Sequence, residues 1–240
     1  MILCIDIGNT SIAYSIWDGE KISNINRIAT AKKELQIPDM NSLNAIAISS
    51  VVPELTNYYS NYFNEIGIKP FIVNHNNCKI NLAVDHPSEV GPDRICNAVG
   101  AQKKYGTPCI IVDFGSATTY DIINDKGDFI GGAIAPGIDV SANYLIKKAA
   151  LLNETIFQFP GNVIGKNTNT NLQSGIMYGG LDSVYGMLKR IMTEMNNTKI
   201  QVVLTGGFSL LISEHLDIEH ILDETITLYG LQSILNANHE

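Results

Sequence analysis

The chain has 240 residues, 45% of them apolar and 17% charged, with 20 glycines and 8 prolines. That is enough apolar material for one compact unit or two small domains with sizeable cores, and it excludes collagen-like and disordered classes. Sixteen Lys and Arg stand against 24 Asp and Glu, a net charge of −8, which repels a phosphate backbone and leaves nucleic acid an unexpected partner.

In chain order, "MILCIDIGN" reads as a strand, and "TSIAYSIWDGEKISNINRI" alternates and turns at Asp18-Gly19, a hairpin. "NAIAISSVV" is a short buried strand. "PELTNYYSNYFNEIG" starts a helix at Pro53 and stops it at Gly67. "KPFIVN" is another strand, and "VGPDRICNAVGAQKKYG" a helix opening at Pro92 and closing at Gly106. "CIIVDF", "ATTYDIIND" and "GDFIGGAIAPG" form strand, strand, turn and strand. The second half turns helical. "VSANYLIKKAALLNE" places Ala142, Leu145, Ile146, Ala149 and Leu152 on one face, and "NLQSGIMYGGLDSVYGMLKRIMTEM" is a long helix whose small residues allow close packing. "KIQVVLTGGFSLLI" runs from strand into a glycine turn, and "TITLYGLQSIL" is a final helix.

No apolar run approaches the roughly 18 residues of a membrane span. The N-terminus lacks a basic region and meets an acid at Asp6, which does not suit a signal peptide. Cys4, Cys78, Cys96 and Cys109 form no C-x-x-C pair, so reduced, buried thiols in a cytoplasmic protein without a membrane partner are expected. The five histidines are scattered, with no H-E-x-x-H spacing.

One pattern recurs. "CIDIGNTSIAYSIWDGEKI" and "IVDFGSATTYDIINDKGDFI" share an apolar strand, Asp-x-Gly, a small polar turn, an alternating strand and a second turn with Gly. Two copies about a hundred residues apart suggest duplicated halves. Glycine in such a turn lets the backbone approach a ligand and aim N–H groups at it. Asn9, Thr10, Ser11, Ser116, Thr118 and Thr119 add neutral donors, and neither turn holds a Lys or Arg. A phosphate chain gripped there needs its charge met by backbone dipoles and a bound cation, which the strand-end acids Asp6 and Asp113 would anchor. The alternative is that both acids simply accept hydrogen bonds from turn N–H groups. "PGNVIGKNT" is not a Walker loop, because Gly161 and Gly165 are too close and Asn167 follows Lys166.

"EVGPDRICNAVG" offers a third site. Pro92 opens the helix, so Asp93 and Arg94 fall in its first turn. Asp93 can take a hydroxyl proton while Arg94 holds an anionic group. The helix N-terminus and Arg94 should both lower the Asp93 pKa, a weakness tolerable where positioning dominates phosphoryl transfer. A routine acidic helix start is the other reading.

With these residues in place, the sequence resembles the type III pantothenate kinases, a branch of the actin/Hsp70/sugar-kinase superfamily. The resemblance rests on "DIGNT" at 6–10, "EVGPDR" at 89–94, "VDFGSATT" at 112–119, "GDFIGGAIAPG" at 127–137, "GKNT" at 165–168, "QSG" at 173–175 and "TGG" at 205–207. It implies an α/β fold of two duplicated ribonuclease-H-like (actin-like ATPase) domains, residues 1–108 and 109–240, with a nucleotide cleft between them. It implies ATP-dependent phosphorylation of the primary hydroxyl of pantothenate to 4'-phosphopantothenate, the first step of coenzyme A synthesis. By that likeness Asp6, Ile7, Gly8, Asn9, Thr10, Ser11, Ile12, Ala13 and Ser116 bind ATP, and Asp93 accepts the proton. Gly91, Pro92, Asp93, Arg94 and Thr168 bind pantothenate, and Asp113 holds a monovalent cation, K⁺ or NH₄⁺, beside Mg²⁺. A homodimer is implied as well. Ser116 stands where the family usually has Thr, and Pro92 where it has Ala; the hydroxyl survives, and Pro suits a first helical position. A kinase of another small hydroxylated metabolite, or a non-catalytic nucleotide-binding regulator, are the competing readings.

Overall fold

The computed structural model describes residues 1–37 and 40–239. Among the described residues, ten strands fall into two five-stranded sheets. The first holds β1 (Ile2–Ile7), β2 (Ser11–Trp17), β3 (Asn26–Ala29), β4 (Ala45–Ser50) and β5 (Phe71–Ile72), in the order β3-β2-β1-β4-β5. The second holds β6 (Cys109–Phe114), β7 (Ala117–Ile123), β8 (Phe129–Pro136), β9 (Gln201–Gly206) and β10 (Ile221–Leu222), in the order β10-β9-β6-β7-β8. Read from the other edge, the second order repeats the first, with β6 in the place of β1 and β9 in that of β4. The recurrence in the sequence is therefore a duplication of topology, the ribonuclease-H-like arrangement expected of the chain.

In the first sheet β1 runs antiparallel to β2, from Ile2↔Trp17 to Ile7↔Ile12, and parallel to β4, from Ile2↔Ala45 to Ile7↔Ser50. A hairpin joins the antiparallel pair. The parallel pair needs a long crossover, as parallel strands do. Side chains alternate across the sheet with period two. Leu3, Ile5 and Ile7 join one core cluster with Leu55, Tyr59 and Phe63 of α1 (Pro53–Glu65). The alternate residues Cys4 and Asp6 face the opposite way, toward Cys96 of α2 (Pro92–Tyr105). The period thus decides which helix meets the strand-end acid.

Helix α2 is buried from Ile95 to Ala101 without a break, which no surface helix with one apolar stripe would be. Its outer side is covered by α6 (Ile226–His239). Glycines make the approach possible. A methyl on Gly100 would sit 2.5 Å from the Ile226 carbonyl oxygen, and one on Gly230 would run into the carbonyl of Cys96. Thr227 Oγ1 donates to Asn97 Oδ1 at 2.7 Å across the same seam.

The chain gathers into two compact units. One comprises residues 1–109, 121–131 and the segment from 224 onward; the other comprises 110–120 and 132–223. The second unit carries α3 (Ile138–Lys148), α4 (Thr168–Glu194) and the short α5 (Ser209–Ser213). Two expectations change there. The apolar face read over 140–154 is cut at Lys148, and of its members Ala142 alone is buried within α3, with Leu145 at 48% exposure. Close packing through the small residues of α4 holds at Gly180, whose methyl would meet Ile138 at 3.3 Å, whereas Gly175, Gly179 and Gly186 face open space. Periodicity marks an apolar face but does not supply the element that covers it.

These glycines give a controlled test of the α2–α6 seam. Gly230→Ala is expected to cost about 2 kcal/mol net, because overpacking of about 3 kcal/mol outweighs the roughly 1 kcal/mol that Ala gains over Gly in a helix. Thermal melts should show a fall of roughly 4–8 °C, while Gly186→Ala, with room for its methyl, should melt at or above the parent. A Gly230→Ala protein as stable as the parent would contradict the seam.

Candidate active site

The first hairpin turns tightly, with the Gly8 N–H donating to the Ser11 carbonyl at 3.0 Å. Thr30, which the sequence did not single out, ties it down. Its Oγ1 donates to the Gly8 carbonyl at 2.8 Å and its N–H to the Thr10 carbonyl at 3.0 Å. With these carbonyls engaged on the Thr30 side, exposed Asn9 and Thr10 form the solvent edge of the turn. Of the residues expected at ATP, Ile7, Ile12 and Ala13 are core side chains, so only their backbone is available to a ligand.

Asp6 is half-buried. Its Oδ1 accepts from Ser49 Oγ at 2.8 Å, and the two residues are direct partners in the parallel β1–β4 ladder. Ser49 is itself fully buried. Its signal in the sequence was the Ser-Ser pair that ends an otherwise apolar strand.

Gly91 and Pro92 lead into α2, with Pro92 at its first position. Asp93 Oδ1 folds back to accept the Arg94 N–H at 2.8 Å. A methyl on Gly91 would lie 2.5 Å from that oxygen, so glycine is what lets the carboxylate fold back. Burial raises the Asp93 pKa above the ordinary carboxylate value, and this outweighs the Arg94 backbone hydrogen bond and the Arg94 charge, both of which lower it. The expectation of a lowered pKa is corrected. The helix start and Arg94 act in the sense expected, but the loss of water around the carboxyl is larger.

Cys96 lies behind these acids. Burial, then the negative charges of Asp6 and Asp93, push its thiol well above its usual value. A strand-end acid and a helix-start acid, 87 positions apart in sequence, thus act on one buried group. Arg94 reaches away to Asp121 of β7, donating Nε–H to Oδ1 at 2.6 Å. Its guanidinium lies 5.4 Å from the centre of the Phe129 ring.

The second unit presents its own hairpin. The Gly115 N–H donates to the Ala117 carbonyl at 3.0 Å, and Ser116 is exposed at the tip. Two motif glycines clamp it from outside. Gly137 donates its N–H to the Ser116 carbonyl at 3.1 Å, and a methyl there would be 2.5 Å from the Gly115 carbonyl oxygen. Gly206, at φ +89°, would put a methyl 2.5 Å from Asp113 Oδ1 and 2.6 Å from the Phe114 nitrogen. Both the backbone angle and the space at 206 demand glycine. Asp113 ends β6 half-buried, as Asp6 does β1. Thr168 is the exposed first residue of α4, just after the N-cap Asn167, whose side chain accepts the Thr170 N–H at 2.9 Å.

Asp6 and Gly91 to Arg94 are therefore gathered in one unit, and Asp113, Ser116 and Thr168 belong to the other. Among the described residues no group of three or more His, Cys, Asp and Glu is arranged to hold a metal ion, and no helix is long and apolar enough to cross a membrane.

A family model for type III pantothenate kinase matches residues 2–190. The type III pantothenate kinase of Thermomicrobium roseum is 38% identical over 257 aligned residues, covering 100% of this chain and 98% of the relative. A Campylobacter jejuni protein assigned to the Baf family of transcriptional activators superposes with a TM-score of 0.66 at 20% identity, over 99% of this chain and 98% of that one. A Sinorhizobium meliloti protein assigned as a 2-dehydro-3-deoxygalactonokinase does so at 0.59 and 10% identity, over 99% and 96%. At such identities these two structures establish the fold.

The Asp93 environment predicts a stability trade. A carboxyl whose folded pKa is raised binds its proton more tightly when folded, so stability falls as pH rises from the ordinary carboxylate pKa through the raised one, and stays lower above it. Asp93→Asn removes that cost. It should melt higher than the parent at pH 7, with the gain vanishing near pH 4. A variant less stable at pH 7 would contradict burial as the dominant influence.

Proposed function

The chain belongs to the type III pantothenate kinase family and catalyses ATP-dependent phosphorylation of pantothenate in coenzyme A biosynthesis, and we propose that Asp93 is its proton acceptor. The observation that carries this assignment is that Asp6 and Asp93 both lie near enough to the buried Cys96 for their charges to act on it. It brings the acid of the phosphate hairpin and the acid of the helix start into one unit. A raised pKa suits the role, since a base is most effective when its pKa approaches the working pH.

In this reading the N–H groups of the turn at 8–11, with Thr10 and Ser11 hydroxyls, meet the ATP phosphates, and Ser116 adds a contact from the second hairpin. Gly91, Pro92, Arg94 and Thr168 position pantothenate. The hydroxyl of pantothenate attacks the γ-phosphoryl group in line, ADP leaves, and the hydroxyl proton passes to Asp93. Positioning and charge stabilisation account for most of the rate in such a transfer. Mg²⁺ on the phosphates supplies positive charge that the lysine-free turns do not.

Asp113 is the residue proposed to hold K⁺ or NH₄⁺. The residues present fit such an ion. A half-buried carboxylate stands at the end of β6 beside the exposed tip of the second hairpin, and carboxylate oxygen is a donor that such a cation accepts. When bound, the cation offsets phosphate charge beside the second hairpin.

A homodimer is also proposed. Ile134, Val140, Tyr144 and Leu145 are exposed at 67, 44, 63 and 48%, an apolar stretch of β8 and α3 that a second copy would cover. A cytoplasmic setting is supported by four buried cysteines, none in a disulfide. The intact acids at 6, 93 and 113 favour a catalyst over a nucleotide-binding regulator, which has no need of a base.

ADP release on mixing ATP, Mg²⁺ and pantothenate tests the chemistry. Asp93→Asn should lose about 10²–10⁴-fold in turnover while still binding ATP, and the parent should run faster in potassium than in sodium. Near-normal turnover in the variant would remove Asp93 from its role, and equal rates in the two salts would remove the cation. Sedimentation should show a dimer that Tyr144→Asp weakens; a monomeric parent would refute it.

A further inference from the structure

Asp121 has no place in the chemistry derived so far, yet its carboxylate is completely buried and its side chain is 0% exposed. A buried carboxylate is tolerated when a cation and hydrogen bonds compensate it. Here the cation is Arg94, whose Nε–H donates to Asp121 Oδ1 at 2.6 Å. One face of the guanidinium lies against Phe129, itself buried, at 5.4 Å. The Arg94 side chain nevertheless keeps 15% of its exposure.

A guanidinium is a planar fork of five N–H donors. One edge is spent on Asp121, and the terminal nitrogens carry the remaining four donors. With that edge and one face fixed, the direction of the terminal nitrogens is set as well. The geometric complement of such a fork is a carboxylate. Arg94 follows Asp93 in the first turn of α2, and pantothenate carries the reacting hydroxyl at one end and a carboxylate at the other.

We propose that Asp121 is a positioning residue that locks Arg94 so that its terminal N–H groups receive the pantothenate carboxylate; this rests on the kinase reading above. The pair then sets specificity for an acid-ended acceptor. A pair that merely stabilised the fold would leave that specificity untouched.

Asp121→Asn tests this. The amide keeps an oxygen for Nε but loses the charge that pins the fork. The KM for pantothenate should rise about tenfold or more, the scale of one charge-assisted hydrogen bond, with kcat and the KM for ATP within about twofold of the parent. Pantothenyl alcohol, which has a hydroxyl in place of the carboxylate, should be phosphorylated with unchanged kcat/KM, so the parent's preference for the acid shrinks. A pantothenate KM that stays put while the melting temperature falls would overturn the proposal, as would equal losses on both acceptors. If Asp121→Asn does not fold, Arg94→Lys keeps the buried charge pair without the fork, and an unchanged pantothenate KM in that variant would overturn the proposal. A parent that phosphorylates no pantothenate would overturn the kinase reading and this proposal together; a working parent with an unaffected variant overturns this proposal alone.

Discussion

The first turn of α2 is anchored by the packing of the turns that follow it. Ile95 to Ala101 are buried without interruption, and α6 is pressed on them through contacts that admit no side chain at Gly100 or Gly230. A helix held so firmly cannot swing its first turn into solvent. Burial of the Asp93 carboxyl raises its pKa rather than lowering it, and a residue that would otherwise be a weak base becomes a useful one. The same fixed turn sends the next residue, Arg94, to a carboxylate buried on β7.

The duplicated halves use one device in two ways. Each central strand ends in an acid beside a glycine turn free of lysine and arginine. In the first, Asp6 meets the hydroxyl of Ser49 from the neighbouring parallel strand. In the second, Gly206 of β9 lies beside Asp113, where a methyl would be 2.5 Å from Oδ1. The topology is shared between the copies while the residue beside the acid differs, a serine hydroxyl in one half and a glycine in the other.

Much of this was legible in the sequence because it is local. Asp18-Gly19 marks a turn in which the Asp18 carboxylate accepts the N–H groups of Glu20 and Lys21. Pro53 and Pro92 open helices, and Gly67 and Gly106 follow their ends. What escaped depends on residues distant in the chain. Thr30 holds the first turn from 20 residues beyond it, Asp121 holds Arg94 across 27 positions, and Gly137 and Gly206 matter for what their missing side chains would strike. The direction of the Asp93 shift also escaped, because charge and helix position are visible in a sequence and desolvation is not. The face of α3 misled for a related reason: spacing shows that residues align, not that anything in the same chain covers them.

The central claim is that desolvation, not the helix start or Arg94, governs Asp93. A carbon-13 NMR titration of the Asp93 carboxyl measures this directly. Control by desolvation requires a midpoint above the ordinary carboxylate value of about 4. A midpoint at or below that value would contradict it.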